Sequence, residues 1–164
     1  MEQYEVIRDT RERQGWYFPK KDRCAGMIDK GLKTGDYTLR GYEDIVCIER
    51  KASPEELALN LGKHKDRFVR ELERMKDIEH RYIVCEFSLD ELLNFPENSR
   101  MPEEKKKGLR ITGRYMIRCL IEFGIKYNVH VLYCGTKVNA FKVTESIFKR
   151  MVENYGFTAT GIER

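Results

Sequence analysis

Residues 34–56 read TGDYTLRGYEDIVCIERKASPEE, and this stretch decides the fold class. "DYTLRG" and "EDIVCIER" are two short runs rich in β-branched and aromatic residues, and the turn around Gly41 between them predicts a hairpin. After Lys51 the signal changes: Ser53 suits an N-cap, Pro54 the first helical position, and Glu55 and Glu56 the positive end of a helix dipole. A hairpin running straight into a helix points to an α/β domain. It also raises a chemical question, because Asp36 opens one strand and Glu49-Arg50-Lys51 closes the other. Antiparallel pairing brings such ends together.

The pattern continues outward in both directions. Upstream, "YEVIRD" predicts a short strand ending at Asp9, and "RCAGMID" a second one. Downstream, the helix that starts at Ser53 should break near Gly62. A second helix follows in "KHKDRFVRELERMKDI", whose Phe68, Leu72 and Met75 share one face. "RYIVCEF" is a continuous apolar run of strand length, as in a central strand covered on both faces. "SLDELLNF" predicts a short helix capped near Ser88 or Asp90. "PENSRMPEEKKKG" is polar and proline-bearing, which predicts a mobile loop. A long helix over "LRITGRYMIRCLIEFGIKY", a buried strand "VHVLYCG" and a last helix "NAFKVTESIFKRMVENY" complete the order, and the tail "GFTATGIER" carries no strong signal. The expected architecture is α/β, a mixed central sheet flanked by helices.

The chain has 164 residues, 41% hydrophobic and 35% charged, with a net charge of +4. These values suit one domain, residues 1–164, with a real core and a well-solvated surface. No apolar run is long enough to span a bilayer, and the N-terminus lacks the features of a signal peptide, so a cytoplasmic protein without membrane partners is expected. Five cysteines stand singly, without zinc-finger spacing, and structural zinc is not expected. Cys47, Cys85 and Cys134 lie in apolar runs and read as reduced core thiols. The mild positive charge permits a polyanionic partner without demanding one.

If the two hairpin strands pair, Asp36 and Glu49 share one sheet edge. Two adjacent carboxylates repel each other, and a cation between them relieves the repulsion. Oxygen donors alone select a hard ion such as Mg²⁺ or Mn²⁺. Lys51, two residues beyond Glu49, projects on the same strand face, with Arg50 on the other. An ammonium beside such an ion can orient a water and stabilise charge on a phosphoryl group in transition. Phosphodiester hydrolysis is the reaction these residue types suit.

The motifs carry a resemblance. "IRDTRE", then "GDY", then "ERK" resembles, in that order, the XPF-type nuclease domain family, a branch of the PD-(D/E)XK superfamily whose members cut DNA. The resemblance implies that fold and a metal-dependent DNA endonuclease with a role in DNA repair or recombination; branched or flapped DNA is one candidate substrate, and the family's preference for forks or flaps does not carry over with the motifs. It implies Asp9, Asp36, Glu49 and Lys51 as catalytic residues. Asp36, Glu49 and the Arg50 backbone carbonyl would hold Mg²⁺, with Mn²⁺ as substitute. Asp9 would act through water or a second ion, Lys51 would position the attacking water, and Glu12, Arg50 and Glu55 would be auxiliary. The family usually has Asp where this chain has Glu55. Many relatives carry helix-hairpin-helix modules after the nuclease domain; this chain resembles the small stand-alone members, such as those of phages and bacteria.

For nucleic-acid contact the candidates are Arg67, Lys63 and Arg70 on the second predicted helix, and Lys105 and Lys106 beside the loop. The helix cations also alternate with Asp66, Glu71 and Glu73 as ordinary i, i+4 pairs would. Trp16, Tyr17 and Phe18 read as core packing in preference to base stacking. DNA is the expected partner, and the family's habit of pairing nuclease domains points to a homodimer. Two other readings share the motifs: a nuclease-like domain without catalysis that binds DNA or a partner, and an RNA-cutting enzyme of the same fold. Backbone contacts alone do not separate DNA from RNA.

Overall fold

Six strands and six helices follow one another in the described residues, 3–156, of the computed structural model. They are β1 (Tyr4–Arg8), β2 (Cys24–Asp29), β3 (Tyr37–Leu39), β4 (Val46–Lys51), α1 (Pro54–Leu61), α2 (Lys65–Met75), β5 (His80–Cys85), α3 (Leu89–Leu93), α4 (Glu103–Gly108), α5 (Gly113–Tyr127), β6 (His130–Tyr133) and α6 (Lys137–Tyr155). The strands form one sheet in the order β2-β1-β3-β4-β5-β6. β1–β3 and β3–β4 are antiparallel; β1–β2, β4–β5 and β5–β6 are parallel. The mixed sheet with helices on both faces is the α/β architecture expected.

Alternation along β4 sorts its side chains between two cores. Cys47 joins Leu57, Phe68, Leu72 and Met116 beneath α1, α2 and α5. Val46 and Ile48 face the other way, to Trp16, Phe18, Tyr37, Ala140 and Phe148 beneath the segment after β1 and helix α6. Trp16 and Phe18 are buried core residues, while Tyr17 between them is 69% exposed. Trp16 stacks on Tyr37 at a centroid distance of 5.0 Å, and the Trp16 N–H donates to the Tyr37 hydroxyl at 2.5 Å. The tyrosine of "GDY" therefore fastens the segment that carries the aromatic triplet.

Local signals account for the helix starts. Ser53 caps α1 by accepting from the Glu56 N–H at 3.1 Å, with Pro54 in the first turn. Ser88 and Glu91 form a reciprocal capping box on α3. Three expectations need correction. Residues 103–108 of the expected loop are helical, with Glu103 and Glu104 at the positive end and Lys105 to Lys107 at the negative end of the dipole. β5 is an interior strand but stands next to the edge. β6 is the edge itself, so Val131 to Tyr133 are only half-buried. Most of the tail "GFTATGIER" lies outside the described residues. Cys47 and Cys85 are buried and Cys134 is half-buried. Among the described residues no helix is long and apolar enough to cross a membrane.

Gly35, at the entrance to β3, has φ +74°, and a Cβ there would stand 2.2 Å from Cys47 Sγ and 3.2 Å from the Ile48 carbonyl oxygen. Both the left-handed backbone and the close approach to β4 demand glycine. Gly35→Ala is expected to destabilise the fold by about 3 kcal/mol, combining backbone strain with overpacking. Urea unfolding checks this; a change under 1 kcal/mol (roughly the range of an ordinary surface substitution) would contradict it.

Candidate active site

The site begins with the register of one strand pair. Tyr37 pairs with Ile48, which sets Asp36 across from Glu49. The Asp36 N–H donates to the Ile48 carbonyl at 2.8 Å, and its carboxylate Oδ2 accepts from the Arg50 N–H at 2.7 Å. Asp36 thus extends the ladder where β3 begins and β4 ends. Alternate residues of a strand turn their N–H and C=O to the same side, so the Arg50 carbonyl also faces the Asp36 side.

Glu49, Arg50 and Lys51 are 4%, 7% and 3% exposed, unlike an ordinary solvated strand end. Lys51 Nζ donates to Glu49 Oε1 at 2.6 Å and lies 4.5 Å from the Phe68 ring centroid. Glu49 Oε2 is buried and has no hydrogen-bond partner. Arg50 points to the opposite face. Its Nε and Nη2 donate to the two Glu86 oxygens at 2.7 and 3.1 Å, and its Nη1 lies 3.4 Å from Glu12 Oε1. The Trp16 indole N–H also donates to Glu86, at 2.9 Å. Arg50 is auxiliary in this sense: its side chain anchors the strand end while its backbone faces the site.

The ionisation of the site follows from burial. Burial, and then the neighbouring Glu49, push the Asp36 carboxyl well above the ordinary range, against the Arg50 N–H. Burial likewise raises Glu49, opposed by Lys51. For Lys51 burial works against the ammonium, but the Glu49 carboxylate overrides it and the pKa rises. Lys51 therefore stays charged, held against one oxygen of Glu49.

A cleft of about 200 Å³ opens here, lined by Asp9, Arg11, Glu12, Asp36, Glu49, Lys51, Glu56, Asn60, His64, Arg67, Phe68 and Glu71. It brings together Asp9, Glu12, Asp36, Glu49, Lys51 and Arg67 from the sequence reading. Asp9 is placed differently from expectation. Its two oxygens accept from Arg11 N–H and Nε at 2.9 and 2.7 Å, from Arg11 Nη2 at 3.2 Å and from Leu32 N–H at 2.7 Å. Burial would raise this carboxyl, but those donors hold it below its usual value. Asp9 organises the wall and orients Arg11; an ion would have to compete with these donors.

Glu55 also departs from expectation, lining a separate groove of about 720 Å³ with Ser53, Glu86 and Met101. One residue in a helix is a turn of about 100°, which carries Glu56 and not Glu55 into the cleft. Glu56 Oε2 accepts from the Ala52 N–H at 2.8 Å, tying helix α1 to the end of β4. Lys63, Arg70 and Lys105 are exposed and outside the cleft lining. Lys106 donates to the Glu97 carbonyl at 3.0 Å and to Glu103 at 2.8 Å. Asn60, His64 and Glu71 also line the cleft and are not singled out by the sequence reading, although Glu56-Asn60 on α1 and Arg67-Glu71 on α2 each follow the i, i+4 spacing of a helix face; His64 stands at the N-cap position of α2.

Among the described residues no group of three or more His, Cys, Asp or Glu side chains could hold a metal ion by itself. The available hard donors are Asp36, the unpartnered Glu49 oxygen and the Arg50 carbonyl. The lining carries six carboxylates against three permanent cations, Arg11, Lys51 and Arg67.

Comparison with known proteins bears on what this constellation belongs to. The family model described as the ERCC4 domain matches residues 8–147. The structure of XPF from Aeropyrum pernix is similar with a TM-score of 0.60 at 18% identity, covering 92% of this chain and 67% of that one. XPF from the same organism in complex with DNA gives a TM-score of 0.60 at 17% identity, covering 97% of this chain and 70% of that one. No curated protein sequence matches significantly. The matched span includes the GDY and ERK strand ends that form the cleft, and the chain belongs to the ERCC4 domain family, the XPF-type nuclease domains of the PD-(D/E)XK superfamily.

Proposed function

We propose that this chain is a metal-dependent endonuclease that hydrolyses phosphodiester bonds of DNA at the Asp36–Glu49–Lys51 cleft. The observation that carries the reading is the buried Lys51–Glu49 pair, whose second carboxylate oxygen is unpartnered, set across from Asp36. Burying an acceptor without a partner is unfavourable, and a hard cation at that oxygen would satisfy it. The excess of carboxylates in the lining supports the same ion, since a phosphate entering without a compensating cation would meet net negative charge.

Asp36, Glu49 and the Arg50 carbonyl would hold Mg²⁺, with Mn²⁺ as substitute. When bound, the ion would lower the pKa of a water and offset charge on the phosphate. Lys51 keeps its proton and donates to the attacking water or to the phosphoryl oxygens as charge builds there. The water oxygen forms a bond to phosphorus as the bond from phosphorus to the leaving sugar oxygen breaks. The water's proton passes to solvent, which also reprotonates the leaving oxygen. Arg67, with Arg11 held by Asp9, faces the flanking phosphates from the cleft wall. Lys63, Arg70, Lys105 and Lys106 would meet the strand further out. The DNA complex of a similar fold supports DNA as substrate.

The test is a panel of single-stranded, duplex, flapped, forked and four-way-junction DNA, with RNA alongside, in Mg²⁺, Mn²⁺ or EDTA. Endonucleolytic products with either ion on DNA and none in EDTA are expected, with branched or flapped DNA preferred. An intact panel in every lane would overturn the reading and favour a DNA-binding domain without catalysis. Cleavage of RNA alone would replace the substrate.

A further inference from the structure

Asn60 has no part in the chemistry so far, yet its side-chain Oδ1 is buried without a hydrogen-bond partner. Among the cleft-lining residues described, it shares that state only with Glu49 Oε2. Glu49 Oε2 has a proposed occupant; Asn60 Oδ1 does not. A buried amide oxygen kept unpaired is unfavourable unless something in the working state donates to it. Asn60 is in helix α1, one turn after Glu56, whose carboxylate fastens that helix to Ala52 at the end of β4. The helix carrying Asn60 is thereby braced against the strand carrying Lys51.

We propose that Asn60 positions the attacking water, its Oδ1 accepting one of the water's hydrogens; this rests on the hydrolytic reading above. A nucleophilic water must turn a lone pair to phosphorus, and it does so when its O–H groups are held by acceptors. Lys51 is a donor only, and Glu49 Oε1 is already occupied by Lys51. Asn60 supplies the acceptor that the strand does not. Being neutral, it takes no proton: the water oxygen bonds to phosphorus, the leaving sugar oxygen departs, and the proton released passes to solvent. The role is positional, and its loss should appear in kcat and leave DNA affinity in place.

The experiment uses the full chain, Mg²⁺ and the best-cut DNA of the panel; wild-type cleavage there establishes the underlying reading separately. Asn60→Leu removes the acceptor and keeps the branching and heavy-atom count of the side chain. It is expected to lower kcat about 10²-fold, the usual scale for one preorganised hydrogen-bonding group, with KM and the DNA Kd within about twofold. Its thermal midpoint should equal or exceed wild type, because the unpaired buried oxygen is gone. Asn60→Asp keeps an oxygen in the same place and should recover most of the lost kcat. Should the leucine variant fold poorly, the aspartate variant and Asn60→Ser, which retains an acceptor, carry the comparison by their kcat at unchanged KM. A leucine variant that cuts as fast as wild type overturns the proposal. So does a rise in KM with Asp the worst of the three, which would mean that the amide presents its Nδ2 donor to phosphate.

Discussion

Lys51→Ala is expected to reduce the single-turnover cleavage rate by about 10³-fold, the scale seen when a charge-stabilising group is removed from a water-excluded site. The same substitution should destabilise the fold by about 3–5 kcal/mol, since it leaves Glu49 buried without its cation. The two effects separate by pH. Glu49 can escape the unpaired state by taking up a proton, so the stability deficit should shrink in acid. Lys51→Met, which fills the space over Phe68 without the charge, should recover part of the stability and none of the rate. Urea unfolding at two pH values and quenched-flow cleavage read both quantities. Cleavage by Lys51→Ala at the wild-type rate would remove Lys51 from the mechanism.

Asp36→Asn should lower cleavage by a comparable factor, about 10²–10³-fold, while stabilising the ion-free protein at neutral pH. The sign comes from the raised pKa: the folded state holds a proton on Asp36 above pH 3.8, where the unfolded chain has released it. Stability from this group is full in acid and falls as pH rises through the folded-state pKa. An asparagine does not titrate, so the variant should lose less stability than wild type between acid and neutral pH. Mg²⁺ should reverse the ranking, because an ion that binds only the folded state adds about 2.7 kcal/mol at a concentration one hundred times Kd. Thermal melts with and without Mg²⁺ at acid and neutral pH check all three statements. Equal Mg²⁺ shifts in wild type and variant would place the ion elsewhere.

Much of the architecture was legible because it is written in local patterns. The hairpin around Gly41, the start of α1 at Ser53-Pro54 and the break before α2 depend on turn chemistry, capping and periodicity within a few residues. The pairing of Asp36 with Glu49 was legible for the same reason, since a short hairpin leaves its outer ends together. Side-chain alternation was enough to separate Lys51 from Arg50. What stayed hidden depends on phase or on distant chain. Glu55 and Glu56 are equivalent by composition, and only the orientation of α1 against β4 selects Glu56 for the cleft. Asp9 is a candidate for an ion in the sequence, but Leu32, far along the chain, supplies one of its donors. Arg50, Glu86 and Trp16 come together from three separate segments.

By itself, then, the sequence determined the α/β class, the strand that ends in Glu49-Arg50-Lys51, and the family to which those motifs point. These are consequences of steric propensity and of the period-two and period-3.6 placement of apolar groups, which act over one element at a time. Tertiary structure decided which acids are spent on holding the fold and which remain free. Asp9 is saturated by four N–H donors, Glu86 is committed to Arg50, and Glu49 keeps one oxygen unsatisfied. All three are the same kind of group in the sequence. Their fates diverge because desolvation makes every buried charge find its nearest partner, and which partner is nearest depends on how the elements pack.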